Sequence, residues 1–172
     1  MFRVKGDTDA ALKAGERGLQ IEEKALEKDD PRLATALTGL GWTFNAKGEF
    51  NKGLAYGRRA FAIRETALGA KHPNLSSDLF VMGEALLGLH RAPEALDALR
   101  RADQVLEPVP DRVIRPKVQL LLARATLESG GDASVAREYA LNAAKSCARH
   151  PSIAASCSRD AEVWLAAHPA GH

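Results

Sequence analysis

No window of this 172-residue chain approaches 18 uninterrupted apolar residues, and the opening Met1-Phe2-Arg3-Val4-Lys5-Gly6-Asp7 is not followed by an apolar signal core. The sequence therefore predicts an unexported, cytoplasmic chain with no membrane partner. Charge of one sign is also missing. Lys and Arg total 24 against 22 for Asp and Glu, a formal charge of +2, so no overall field would recruit nucleic acid. Local pairs such as Arg58-Arg59 and Arg100-Arg101 read as a solvated outer face. Cysteine is scarce: Cys147 and Cys157 stand ten residues apart, neither a Cys-x-x-Cys motif nor a disulfide framework, and read as two buried thiols. Aromatics make up only 5%, so alanine and leucine carry the apolar content, which suits closely packed helices better than β-branched sandwiches. An all-α class follows.

The groups that chemistry needs are equally thin. Gly39-Leu40-Gly41 is not followed by Gly-Lys-Ser/Thr and sits inside a helical pattern, so no phosphate loop is present. Of the five histidines, His72 and His150 precede prolines, His90 falls in a turn, and His168 and His172 belong to the tail. None has the i, i+4 spacing of a helical zinc site, and Cys147 and the serines carry no supporting motif for a triad. The sequence predicts no metal, no cofactor and no enzyme.

What is present is a repeat. Arg17 to Leu26 aligns with Arg59 to Leu68 at an offset of 42 residues, and Pro31, Leu33, Leu37, Leu40 and Gly41 fall on Pro73, Leu75, Leu79, Met82 and Gly83 at the same offset. A fixed period of this size marks a solenoid. Small residues recur where two helices must touch: Gly41, Gly83 and Ala123; Ala11, Gly53, Ala95 and Ala136; Gly18, Ala60, Ala102 and Ala143. Large apolar residues at helical spacing surround them, such as Leu33, Leu37, Leu40 and Phe44. Glycine inside a helix costs about 1 kcal/mol relative to alanine, so its recurrence needs a close helix contact.

In Leu37, Leu40, Gly41, Phe44, Gly48, Phe50, Gly53 and Ala60 the pattern resembles the tetratricopeptide repeat, with Leu for the usual Trp and Gly for the usual Ala. The 42-residue period and the connector Ala67-Leu68-Gly69-Ala70-Lys71-His72-Pro73-Asn74 are similar to the kinesin light chain type. The resemblance implies a right-handed superhelix of about eight helices, with first helices on a concave side and second helices outside. The irregular end is similar to arrays that follow Ser/Thr kinase domains in bacterial signalling proteins.

Along the chain, Gly6-Asp7 matches the turn at Gly48-Glu49, so residues 1–30 read as a second helix from Thr8 without its first, cut from a longer protein. Such a helix would leave Leu12 and Leu19 partly uncovered, a face for self-association into a homodimer. Units follow at 31–72, 73–111 and a divergent 112–149, with 150–172 as a closing helix and tail, all within one domain. Asp111 is expected to cap a helix from near Arg112, with Pro116 past its first turn, and Ile153, Val163, Trp164 and Leu165 to cover the end of the stack. His90 stands where the preceding unit has glycine, a place for a left-handed turn.

Register places Thr35, Thr38, Trp42 and Asn45 on the inner face, followed by Ser77, Phe80, Glu84 and Leu87, then Lys117, Leu120, Arg124 and Leu127. The expected ligand is a protein or peptide segment. Trp42 and Phe80 would be apolar anchors, with Thr38, Asn45, Glu84, Leu87, Lys117 and Arg124 around them. The competing expectation is a spacer or self-association unit whose groove binds nothing specific.

Overall fold

The computed structural model describes residues 3–109, 112–149 and 154–169. Among them are eight helices and no strand: α1 (Arg3–Ala25), α2 (Leu33–Ala46), α3 (Phe50–Leu68), α4 (Leu75–Gly88), α5 (Ala92–Val105), α6 (Arg115–Glu128), α7 (Ala133–Cys147) and α8 (Ala154–Ala167). Each packs on its chain neighbour, and α2, α4, α6 and α8 also meet in series, forming one side of a helical-hairpin solenoid. No helix among the described residues is long and apolar enough to cross a membrane.

The small residues explain the spacing. A Cβ on Gly41 would stand 2.7 Å from Val81 Cγ1, and one on Gly83 would stand 2.5 Å from Leu99 Cγ. Larger side chains there would drive neighbouring helices apart. Ala60, Ala95, Ala102, Ala136 and Ala143 are fully buried at the matching positions. The rule stops at α1, where Ala11 is exposed and a Cβ on Gly18 would meet nothing within 4 Å.

Within hairpins the chain reverses through a left-handed residue at Gly48 (φ 77°), His90 (φ 57°) and Gly130 (φ 77°). The next residue donates its N–H to the carbonyl five positions back: Glu49 to Phe44 at 2.9 Å, Arg91 to Leu86 at 2.8 Å and Gly131 to Thr126 at 2.8 Å. These bonds satisfy carbonyls that a helix end leaves open.

Five expectations need correction. α1 runs unbroken through Gly6-Asp7, because the turn at Gly48 exists to fold α3 back on α2, and among the described residues no helix precedes α1. Leu12 and Leu19 are buried with Leu33, Leu37, Leu40 and Phe44, so the face assigned to self-association is filled by this chain's own helices. Pro116 lies in the first turn of α6, where its missing N–H costs no helical bond; Asp111 and Ile153 lie outside the described residues. α8 does not only cover the stack's end; it continues the inner line of first helices. Cys147 and Cys157 are buried as expected but are not thiols: α8 folds back on the end of α7, bringing the Cα atoms to 5.7 Å, and the two sulfurs form a disulfide.

Candidate functional site

Two aromatic rings mark the inner face. Trp42 of α2, 44% exposed, meets Phe80 of α4 edge to face with centroids 6.2 Å apart and planes at 88°. Phe80 is only 8% exposed and belongs to the core, so it forms a floor while Trp42 forms a wall. A cavity of about 490 Å³ opens beside them. Leu120, Leu121, Lys117 and Arg124 of α6 line it, and Asp160 and Trp164 of α8 form its far wall. Smaller cavities flank Trp42, one toward Thr35, Gly39 and Ser77, the other toward Arg112, Val113 and Ile114.

Of the expected site residues, Trp42, Phe80, Glu84, Lys117 and Arg124 come together around this cavity. The other three do not line this cavity and are buried, although Thr38 lines the smaller cavity on the far side of Trp42. Leu87 is 1% exposed and lies in the core. Asn45 is buried and spends both amide hydrogens, on Val81 O at 2.9 Å and Glu84 Oε2 at 3.0 Å, bolting α2 to α4. Thr38 Oγ1 lies 2.6 Å from Ala34 O and 2.5 Å from the buried carboxylate of Asp78, which Arg64 also holds.

The electrostatics follow from burial. Burial pushes the Glu84 carboxyl above the ordinary glutamate range, against the opposing pull of the Asn45 hydrogen bond and the Lys117 charge. Burial likewise raises Asp78, opposed by hydrogen bonds from Arg64 and Thr38. Arg124 is partly neutralised by Glu128 at 2.6 Å, leaving Lys117 as the lining cation without a close ion pair among the described residues. Trp164 stacks on His168 at 4.2 Å between ring centroids. Among the described residues no group of three or more His, Cys, Asp or Glu could hold a metal.

Trp164 and Asp160 were absent from the expected site although a signal for them exists. Trp42, Glu84, Arg124 and Trp164 follow one another at offsets of 42, 40 and 40, and Phe80, Leu120 and Asp160 at 40 and 40. Carrying the shortened offset one unit further would have placed α8 on the inner face.

The sequence profile of the tetratricopeptide repeat matches residues 1–66 and 44–107. No curated protein matches the chain. Among solved structures, nearly identical TPR-like repeats from a kinesin light chain candidate of Podosopora anserina superpose with a TM-score of 0.73 at 19% identity. The superposition covers 96% of this chain and 81% of that one, and a singly substituted form of the same repeats gives 0.75. BtubC (BKLC) from P. vanneervenii superposes with a TM-score of 0.68 at 15% identity, covering 99% of this chain and 79% of that one. At such identities the likeness shows the fold.

Proposed function

The chain belongs to the tetratricopeptide-repeat family, whose repeats are generally protein–protein interaction modules, and from that premise we propose that it holds a segment of a partner protein in the cavity between Trp42 and Trp164. The observation that carries this reading is the half-exposed indole of Trp42 standing over a preformed apolar floor. An exposed aromatic beside a concave apolar surface is the usual form of an interaction anchor. Lys117 and Arg124 add positive charge at one side, so a segment with a bulky apolar residue and an acidic one suits the surface. The role is non-catalytic, served by one array of units at 31–72, 73–111 and 112–149 with 150–172 closing it.

Where the chain works is a separate matter. Disulfides persist in oxidising compartments, so the Cys147–Cys157 bridge supports a location other than a reducing cytoplasm.

The test is paired. Peptides selected on the protein from a random display library are titrated against Trp42→Ala, Trp164→Ala and Phe80→Ala, with thermal melting beside each. Trp42→Ala is expected to weaken binding by about 2 kcal/mol with little change in melting. Phe80→Ala is expected to lose stability as well, because its ring is core. Retained affinity in both tryptophan variants would sink the groove assignment.

A further inference from the structure

The first two junctions between outer helices are closed by the same internal clamp. Arg59 of α3 pairs with Glu23 of α1 and reaches the Lys28 carbonyl at 3.4 Å; Arg101 of α5 pairs with Glu65 of α3 and reaches the Ala70 carbonyl at 3.4 Å. At the third junction the register position of the arginine, 41 residues on, holds Asn142. Asn142 instead lines an open cavity of about 390 Å³ between the start of α6 and the end of α7.

Its lining is Arg115, Gln119, Asn142, Lys145, Ser146 and Arg149. Every one of these side chains carries an N–H or O–H donor, three are cations, and none is a carboxylate. Arg115 gives part of its guanidinium to Asp103 Oδ1 at 3.1 Å and to the Leu106 carbonyl at 3.3 Å, and Arg149 donates to Ser146 Oγ at 3.1 Å. Lys145 has no ion pair among the described residues. The carboxyl end of α7 favours nearby cations by itself. Among the described residues, only Arg115 of the three cavity cations holds a carboxylate, that of Asp103 on α5. Gln119 supplies a second observation: it is 7% exposed and its Oε1 is buried without a donor.

We infer that this cavity is a binding site for a phosphate group, held by its cluster of cationic and neutral donors. Hydrogen phosphate offers charged oxygens to Lys145, Arg149 and the free edge of Arg115, and a P–OH to an unpaired carbonyl such as that of Gln119. The phosphate comes either free in solution or on a phosphorylated serine of a partner. This site lies on different helices' faces from the Trp42 groove and does not depend on the proposed groove ligand.

The experiment titrates the full chain with inorganic phosphate, then with a phosphoserine peptide and its unphosphorylated twin, against chloride at matched ionic strength. Binding is followed by chemical shifts of backbone amides in 115–119 and 142–149. Saturable shifts with phosphate or phosphopeptide are expected, weakened about tenfold or more in Lys145→Gln/Arg149→Gln, whose exposed positions leave the helical spectrum unchanged. The tighter of the two probes identifies the source of the phosphate. Shifts no larger than those from chloride, or equal affinity in the double variant, would overturn the assignment.

Discussion

The helices from α2 to α5 and those from α6 to α8 solve the same stacking problem by different means. In the regular part, backbones approach through Gly41 and Gly83, Arg–Glu clamps close the outer face, and a buried carboxylate ties three helices together: Asp78 of α4 with Thr38 of α2 and Arg64 of α3. In the divergent part, Ala123 replaces the glycine, the clamp is gone, Asp132 caps α7 by accepting from the Ser134 N–H at 2.6 Å, and a disulfide fixes α8. None of α2 to α6 has a side-chain cap of that kind. Where a helix has neighbours on both sides, interhelical contacts suffice. Toward the end of the stack, local and covalent ties add to them.

The largest effect should come from breaking the buried tie in the regular part. Asp78 is fully buried and the Arg64 side chain is 12% exposed, so Asp78→Ala strands a guanidinium in the core and is expected to cost about 3–5 kcal/mol in chemical denaturation. Adding Arg64→Met should recover much of that loss, because the stranded charge is then removed. A loss below about 1 kcal/mol for Asp78→Ala would mean that the small-residue contacts alone hold these helices.

A smaller, local effect is expected at the other end. Opening the ten-residue loop with Cys147→Ser should cost about 2–3 kcal/mol by the chain-entropy account. Hydrogen exchange should speed up in α7 and α8 and stay unchanged in α2 to α5, since repeat stability is mostly nearest-neighbour. Faster exchange throughout would erase the distinction between the two regions.

The legibility of the sequence follows the same division. The 42-residue offset placed the close helix contacts at Gly41 and Gly83 and the left-handed turn at His90, because both are consequences of repeated contacts that leave repeated residues. Thr38 and Asn45 were assigned to the groove from register alone. Register tells which side of a helix a residue is on, but not that a polar side chain there will be consumed by Asp78 or Glu84 on the next helix. The disulfide was illegible for a related reason: ten residues in sequence say nothing until α8 folds back. Trp164 was legible, but only to a reader who treated the closing segment as a fourth unit rather than a cap.

The smallest expected effect tests the seam between the two regions, where Glu84 of the regular part faces Lys117 of the divergent part. Burial raises the Glu84 carboxyl, while Asn45 and Lys117 pull the other way, and the net direction is upward. A carboxyl whose folded pKa exceeds its unfolded value of about 4.3 is protonated more readily in the folded chain. The stability it contributes is therefore complete below that unfolded value and is lost as pH rises through the folded one. Glu84→Gln keeps the acceptor for Asn45 and removes the titration. The variant should match the parent at acid pH and melt higher at neutral pH, with the difference growing across the range above the ordinary glutamate pKa. Lys117→Met should enlarge that difference when combined with the parental Glu84, because the buried carboxylate then loses its compensating charge. If Glu84→Gln instead melts lower than the parent at neutral pH, the charge on Lys117 outweighs burial, and the two regions are joined by an ion pair rather than by packing across the groove floor.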